Sequence, residues 1–171
     1  MAANDRENFR GHPGAGSVEY VSMLALQARL REEIDRAGRH GTALSCLLLD
    51  IEDLEEITRV HGAELAERTL AYAGLALRRE LRGFDRVGRP SEDELLVVLP
   101  GADGPRGEIV ARRMLARLRA IKLEVHGERR ALRIAIGLAA WREGMSAETL
   151  LEQARAAIGR ERLGFRDALR L

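Results

Sequence analysis

Residues 86–100, RVGRPSEDELLVVLP, contain the turn around which the fold can be predicted. Residues 86–89 and 95–99 are short strand candidates, and the segment 90–94 between them begins with proline and is otherwise polar. This arrangement predicts a hairpin. Its tip carries three consecutive acidic residues, Glu92, Asp93 and Glu94. Such a tip indicates either a metal site or an ordinary solvated turn.

The composition is typical of one soluble globular domain. The chain has 171 residues, of which 46% are hydrophobic and 32% charged. A chain of this length buries about two thirds of its unfolded surface. No apolar run approaches the roughly 18 residues of a membrane span. The N-terminus lacks the apolar segment of a secretory signal, and the single cysteine, Cys46, cannot form an internal disulfide, so we expect a cytoplasmic protein.

The charge balance argues against nucleic acid as a partner. There are 28 basic and 27 acidic residues, and aromatic residues make up 4% of the chain. A protein with so small a net charge has no overall field to attract a polyanion, and few rings are available to stack on bases.

The chain before the hairpin begins with a tail and a helix. Residues 1–16 are rich in glycine, asparagine and charge, which predicts a flexible tail, so the domain is expected to comprise residues 17–171. Apolar residues at helical spacing from Met23 to Ile34 predict a helix that ends near Gly38.

A strand and a second helix follow. The run ALSCLLL at residues 43–49 predicts a buried central strand that ends at Asp50. An apolar stripe from Ala66 to Leu81 predicts a long helix.

After the first hairpin, the pattern predicts a helix, a second hairpin and a last helix. The helix carries Val110, Met114 and Leu118 on its apolar face. Period-two apolar positions in residues 121–125 and 132–138 predict a hairpin with its turn near residues 126–127. Ser146 is predicted to cap the last helix, with Glu148 in its first turn and Leu150, Leu151, Ala154 and Ile158 on its buried face.

These elements predict an α/β sandwich in which helices flank a mostly antiparallel central sheet. In this topology the end of the first strand lies beside the first hairpin, so Asp50 and Asp93 are expected to converge. Two carboxylates and a backbone carbonyl can hold Mg²⁺, which takes its remaining ligands from water and nucleotide phosphates. The alternative of a solvated acidic turn stays open at this point.

Four segments of the chain resemble one known family in the same order. LLLDIEDLEEITRVHG is similar to LLLDIDxFKxINDxxG, and RGFDRVGRPSEDELLVVLP to RxxDxxxRxGGDEFxVLLP. LRIAIGLA is similar to VTxSIGVA, and ETLLEQARAAIGRER to ELLxxADxALYxAK. These patterns are those of the GGDEF domains of diguanylate cyclases, and the resemblance covers nearly all of residues 18–166.

The resemblance implies a palm-like fold related to the nucleotidyl cyclases. Active members of the family condense two GTP into cyclic di-GMP as homodimers. By this resemblance Mg²⁺ would be bound by Asp50, Asp93 and the Ile51 carbonyl, if the active site is functional.

The sequence also departs from the pattern. Ser91 and Glu92 replace the two signature glycines, although the acidic pair Asp93 and Glu94 is retained. Side chains at these two positions would stand where substrate rests against bare backbone. Thr58, Glu67 and Glu55 replace the Asn, Asp and Lys that the resemblance assigns to guanine and phosphate, and Arg162 stands near the last-helix Lys. Asp93 and Glu94 are therefore predicted to be relics of a catalytic site.

A second motif of the family is intact. Arg82 and Asp85 form the RxxD pattern at the expected distance from the signature, and Arg113 falls where the family has a second arginine. By the resemblance these residues form the inhibitory site, which binds cyclic di-GMP. The chemistry agrees, because an arginine fork can donate to guanine O6 and N7 while a carboxylate accepts from N1 and N2.

Three hypotheses follow. The first is a catalytically degenerate GGDEF domain that acts as a cyclic di-GMP receptor through Arg82, Asp85 and Arg113 and requires no cofactor. The second is an active diguanylate cyclase that uses Mg²⁺. The third is a pseudoenzyme that binds no nucleotide and contacts an unknown protein partner, with the helix at residues 18–37 as its partner or homodimer surface.

Overall fold

The computed structural model describes residues 23–125 and 127–168, with side chains described for residues 23–124 and 127–159. The predicted tail, residues 1–16, lies outside the described residues, as do the side chains of His126 and Arg162.

Five helices and six strands are found in this part of the chain. The helices are α1 (Met23–His40), α2 (Leu54–His61), α3 (Ala63–Glu80), α4 (Gly104–Arg119) and α5 (Ala147–Ala168). The strands are β1 (Leu44–Ile51), β2 (Arg86–Gly88), β3 (Glu94–Pro100), β4 (Lys122–Val125), β5 (Glu128–Ala131) and β6 (Ile134–Ala140).

The central sheet has the strand order β2-β3-β1-β6, and every neighbouring pair in it is antiparallel. Helices cover both of its faces, which confirms the predicted α/β sandwich. The alternation along β1 shows why its sequence is continuously apolar. Leu47 and Leu49 belong to the core under α2, α3 and α4, whereas Cys46 and Leu48 belong to the core under α1 and α5. Both faces of the strand are buried, so neither favours polar residues.

The second hairpin was predicted wrongly. Strand β4 pairs with β5, residues 128–131, in a separate two-stranded sheet, and β6 pairs with β1 in the central sheet. An apolar alternation predicts which face of a strand is buried but does not identify the strand's partner. Strand β5, with the sequence ERRA, is too charged for the central sheet, so the hairpin closes outside it and β6 pairs with β1 at the edge of the central sheet. The short helix α2 had also not been predicted.

The predicted cap of the last helix is confirmed. The Ser146 hydroxyl accepts a hydrogen bond from the Thr149 backbone N–H at 3.1 Å. Helix α5 then packs so closely on β6 that a Cβ on Gly137 would lie 1.9 Å from the Ala154 carbonyl oxygen. This contact brings the first half of α5 onto the sheet, with Arg155 within reach of Glu94 at the start of β3. No helix in the described ranges is long and apolar enough to cross a membrane.

Candidate functional site

The acidic hairpin tip lies beside the end of β1, as the sequence predicted. Asp50 is the cross-strand partner of Glu94, and the Ile51 backbone N–H donates to the Asp93 carbonyl at 3.1 Å. Asp93 is exposed and Asp50 is half-buried. The backbone therefore brings the three predicted metal-binding positions, Asp50, Ile51 and Asp93, to one edge of the sheet.

Two of the carboxylates of this tip, those of Asp93 and Glu94, contact protein groups. The Ser91 hydroxyl lies 3.0 Å from Asp93 Oδ1 and 3.0 Å from Glu94 Oε2, so it can donate its proton to either oxygen. Arg155 on α5 pairs with Glu94, with Nη2 3.2 Å from Oε2 and Nε 3.4 Å from Oε1. No cluster of three or more histidine, cysteine, aspartate or glutamate residues in the described part of the chain is arranged to hold a metal. The Ser91 hydroxyl and the Arg155 guanidinium contact oxygens of Asp93 and Glu94 that a Mg²⁺ ion would use, and Mg²⁺ binding by Asp50, Ile51 and Asp93 stays a prediction.

The position that the resemblance assigns to guanine recognition on α3 is also engaged. Arg89 donates to both carboxylate oxygens of Glu67, at 3.1 and 3.0 Å. It also donates to the backbone carbonyls of Ser91 at 3.2 Å and Glu92 at 2.8 Å. One guanidinium group therefore ties α3 to the signature turn.

Two other substrate positions offer little to a nucleotide. The Thr58 hydroxyl donates to the Leu54 carbonyl one turn earlier in α2, at 2.8 Å. Glu55 is exposed and acidic, and it would repel a phosphate that the corresponding lysine of the family would attract.

The predicted RxxD residues form one ordered turn between α3 and β2. The Arg82 backbone N–H donates to Asp85 Oδ2 at 2.8 Å, and the Asp85 N–H donates to the Arg82 carbonyl at 3.1 Å. Arg86 Nη1 closes the turn by donating to the carbonyls of Gly83 at 2.8 Å and Asp85 at 2.9 Å. The bond between Arg82 and Asp85 is thus made by the backbone of Arg82 and leaves its guanidinium group for another partner.

The side chains of this turn face solvent. Arg82 is exposed, and its guanidinium carbon lies 5.7 Å from the centroid of the Phe84 ring, within cation–π range. Phe84 is 50% exposed, so its ring is accessible beside the Arg82 guanidinium. The turn therefore presents a cation and an aromatic face together.

Arg113 on α4 reaches the same end of α3. Its Nη2 donates to the Glu80 carbonyl at 3.1 Å, and its Nε lies 3.2 Å from Glu80 Oε2. Arg117 takes the other carboxylate oxygen, Oε1, at 2.7 Å. Arg113 thus contacts Glu80, which lies two residues before Arg82 in the chain. Its guanidinium is paired with Glu80 and not with Asp85.

A buried ion cluster that the sequence did not indicate lies at the start of α2. Asp53 is fully buried and accepts hydrogen bonds from the Arg133 backbone N–H at 2.7 Å and from Arg133 Nε at 2.8 Å. It also forms an ion pair with Arg130, whose Nη2 lies 3.2 Å from Asp53 Oδ1. Hydrogen bonding to Asp53 raises the pKa of Arg133. The hydrogen bond from Arg130 to Glu56 lowers the pKa of that carboxyl group. The cluster ties α2 to the segment between β5 and β6.

The single cysteine, Cys46, is not a reactive thiol. Cys46 is fully buried, and burial raises the pKa of its thiol to about 12. A thiol with this pKa is not ionised near neutral pH and is a poor nucleophile. Cys46 therefore serves as a small core residue.

Comparison with known proteins gives a consistent result. Residues 22–166 match the family model described as "Diguanylate cyclase, GGDEF domain". The chain is 28% identical over 148 residues to the diguanylate cyclase DgcP of Pseudomonas aeruginosa, covering 86% of this chain and 22% of that protein. It is 31% identical over 142 residues to the diguanylate cyclase DosC of Escherichia coli, covering 82% of this chain and 31% of that protein. The chain thus spans less than a third of the length of each.

Solved structures agree in fold. The diguanylate cyclase SiaD of Pseudomonas aeruginosa, solved in complex with its activator SiaC, is 26% identical with a TM-score of 0.76, over 83% of this chain and 55% of that chain. The GGDEF domain of DgcB from Caulobacter crescentus, solved in complex with c-di-GMP, has a TM-score of 0.78 over 91% of this chain and 94% of that chain. Its identity is 17%, so that likeness concerns the fold alone.

Proposed function

Because the chain belongs to the GGDEF domain family of diguanylate cyclases, we propose that it is a catalytically degenerate member that acts as a cyclic di-GMP receptor. The dinucleotide is bound through Arg82, Asp85 and Arg113. The observation that carries this proposal is the ordered turn at residues 82–86, which holds an exposed guanidinium, a carboxylate and an exposed ring next to one another.

This turn suits a guanine base. The Arg82 guanidinium can donate two parallel bonds to O6 and N7, and the Asp85 carboxylate can accept from N1 and N2. The exposed Phe84 ring, which lies beside the Arg82 guanidinium, offers an apolar face to a purine. The bonds within the turn fix its backbone before the ligand arrives, which lowers the entropy lost on binding.

Arg113 contributes by exchanging partners. Glu80 holds two arginines, Arg113 and Arg117, so Arg113 can turn to a ligand phosphate or base while Arg117 continues to neutralise Glu80. The Arg113 side chain is 54% exposed and can turn to a ligand, whereas the Glu80 side chain is 12% exposed and keeps its pair with Arg117.

The absence of turnover is supported by the groups that would bind GTP. Glu67 is bonded to Arg89, Thr58 bonds within its own helix, and Glu94 is paired with Arg155. A guanine base entering this site would have to break the Glu67 pair or leave its own polar edge unmatched, and both are costly.

Calorimetric titration of the purified protein with cyclic di-GMP, and separately with GTP and Mg²⁺, tests the proposal. We expect micromolar binding of cyclic di-GMP and none of GTP. Arg82→Ala, Asp85→Ala and Arg113→Ala should each weaken binding about ten- to a hundredfold, because one charged hydrogen-bonding group contributes roughly 1.5–3 kcal/mol.

Two control variants accompany this series. Arg112→Ala removes an exposed arginine adjacent to Arg113 that pairs with Glu108, and Asp93→Ala changes the signature turn. Both should bind the dinucleotide as the wild type does. If the wild type binds no cyclic di-GMP at micromolar concentrations, or if Arg82→Ala binds it equally tightly, the receptor proposal fails and a protein-interaction role takes its place. Turnover of GTP that Asp93→Ala abolishes would instead indicate an active cyclase.

Assembly and location complete the proposal. We expect a homodimer, which light scattering after size-exclusion chromatography would detect, and a cytoplasmic location, where a lone cysteine stays reduced.

A further inference from the structure

Two arginines from different parts of the fold hold the signature turn. Arg89 stands before the turn and donates four hydrogen bonds, two to Glu67 on α3 and two to carbonyls within the turn. Arg155 approaches from α5 and takes both carboxylate oxygens of Glu94. The turn is thus fastened to a helix on each side of the sheet.

The charges of this region explain why it needs cations. The turn and the end of β1 together carry four carboxylates, from Asp50, Glu92, Asp93 and Glu94. Carboxylates this close repel one another strongly unless positive charge is nearby. Arg89 is paired with Glu67 and stands where the pattern RxxDxxxRxGGDEF also has arginine, so Arg155 is the cation that this chain adds to the region.

The sequence of α5 supports the same interpretation. In the aligned segments ETLLEQARAAIGRER and ELLxxADxALYxAK, Arg155 stands where the family pattern has aspartate. An aspartate here would repel Glu94, whereas the arginine pairs with it at 3.2 Å. The reversed charge therefore adds a cation next to a retained signature carboxylate.

We propose that the Arg155 guanidinium takes the place of the divalent cation of the family's active site. Its positive charge lies against Glu94 and partly neutralises the acidic turn, so that the turn neither needs nor binds Mg²⁺. The proposal concerns the signature turn alone and is independent of dinucleotide binding at Arg82.

The proposal can be tested with Mn²⁺, whose binding is measured by electron paramagnetic resonance as a loss of the free-ion signal. The wild type should bind no Mn²⁺ below millimolar concentrations. Arg155→Gln should bind it at least about tenfold more tightly, because removing one positive charge a few ångströms from a divalent ion removes a repulsion of that order. Arg155→Lys keeps the charge and should behave as the wild type does.

Matched controls separate this effect from a general change in charge. Arg112→Gln also removes one exposed arginine from an ion pair, but on α4, and should leave Mn²⁺ binding as in the wild type. Adding Asp93→Asn to Arg155→Gln should abolish the gained affinity, which would locate the ion at the turn.

Either of two results would overturn the proposal. One is wild-type protein that binds Mn²⁺ as tightly as Arg155→Gln. The other is Arg155→Gln that keeps its circular dichroism spectrum and still binds no Mn²⁺.

A measurement on the wild type alone gives a further check. Its thermal midpoint should be the same in EDTA and in Mg²⁺, and a higher midpoint in Mg²⁺ would contradict the proposal. Titration of the same variants with cyclic di-GMP should be unaffected, so this inference and the receptor proposal can fail separately.

Discussion

Replacing the buried carboxylate of Asp53 by alanine is expected to lower the free energy of unfolding by about 3 kcal/mol. Asp53 is fully buried, accepts two hydrogen bonds from Arg133 and forms an ion pair with Arg130. These bonds join the start of α2 to the segment that leads into β6, 80 residues later in the chain. Their loss removes this side-chain link, while Leu54 and Ile57 still pack α2 on the core.

The magnitude follows from the environment of each partner. Removing one member of a buried ion pair typically costs about 3–5 kcal/mol, because the partner keeps a buried charge without compensation. Here the side chains of Arg130 and Arg133 are 34% and 55% exposed, so both can turn to water. The Arg133 backbone N–H cannot do so. We therefore expect the lower end of the range.

Urea unfolding followed by circular dichroism measures the change, provided that the dependence on denaturant stays the same. Asp53→Asn keeps the shape and one acceptor oxygen and should cost about half as much. Glu56→Gln is the matched control, since Glu56 bonds the same arginines from a half-exposed position, and its effect should be much smaller. An Asp53→Ala protein within about 1 kcal/mol of the wild type would refute this account of the cluster.

Three further predictions concern the core and the signature turn. Cys46 should resist iodoacetamide in the folded protein at pH 8 and react in urea. Burial raises the pKa of this thiol from 9.0 to about 12, so as the pH rises the thiol ionises in the unfolded chain before it does in the folded one. The free energy of unfolding should therefore fall as the pH rises from 9.0 to about 12. Gly137→Ala should cost at least about 2 kcal/mol in urea unfolding, since its Cβ would lie 1.9 Å from a carbonyl oxygen of α5, whereas Gly159→Ala, with open space around it, should be tolerated. Replacing Ser91 and Glu92 together by glycine should give no formation of cyclic di-GMP from GTP, measured by chromatography. Clear product formation would show that the replacements at Thr58, Glu67 and Glu55 do not by themselves prevent turnover.

Much of the fold could be predicted from local patterns. The continuous apolar run that became β1, the helical stripes of α1 and α3, and the serine that caps α5 each depend on residues a few positions apart. Such patterns state which faces are buried. They misplaced the partner of β6, because several antiparallel pairings satisfy the same alternation, and they missed α2, which is 8 residues long.

The candidate sites divide in the same way. The positions of Asp93, Glu94, Arg82, Asp85 and Arg113 followed from motifs with fixed spacing in the sequence. The state of their side chains did not follow. That Arg113 is held by Glu80, and that Glu94 is held by an arginine 61 residues later, became evident only in the folded chain.

What the sequence by itself determined is therefore the periodicity of its elements and the family to which they belong. The tertiary structure decided which charges meet. Asp53 is the N-cap residue of α2, a position where an aspartate side chain is expected to bond to the backbone of its own helix. Its side chain makes no such bond and accepts hydrogen bonds from Arg133 instead. With 28 basic and 27 acidic residues in the chain, any carboxylate has many possible partners. Coulombic attraction acts over distance in space and is indifferent to distance along the chain, so only the packed fold selects among them.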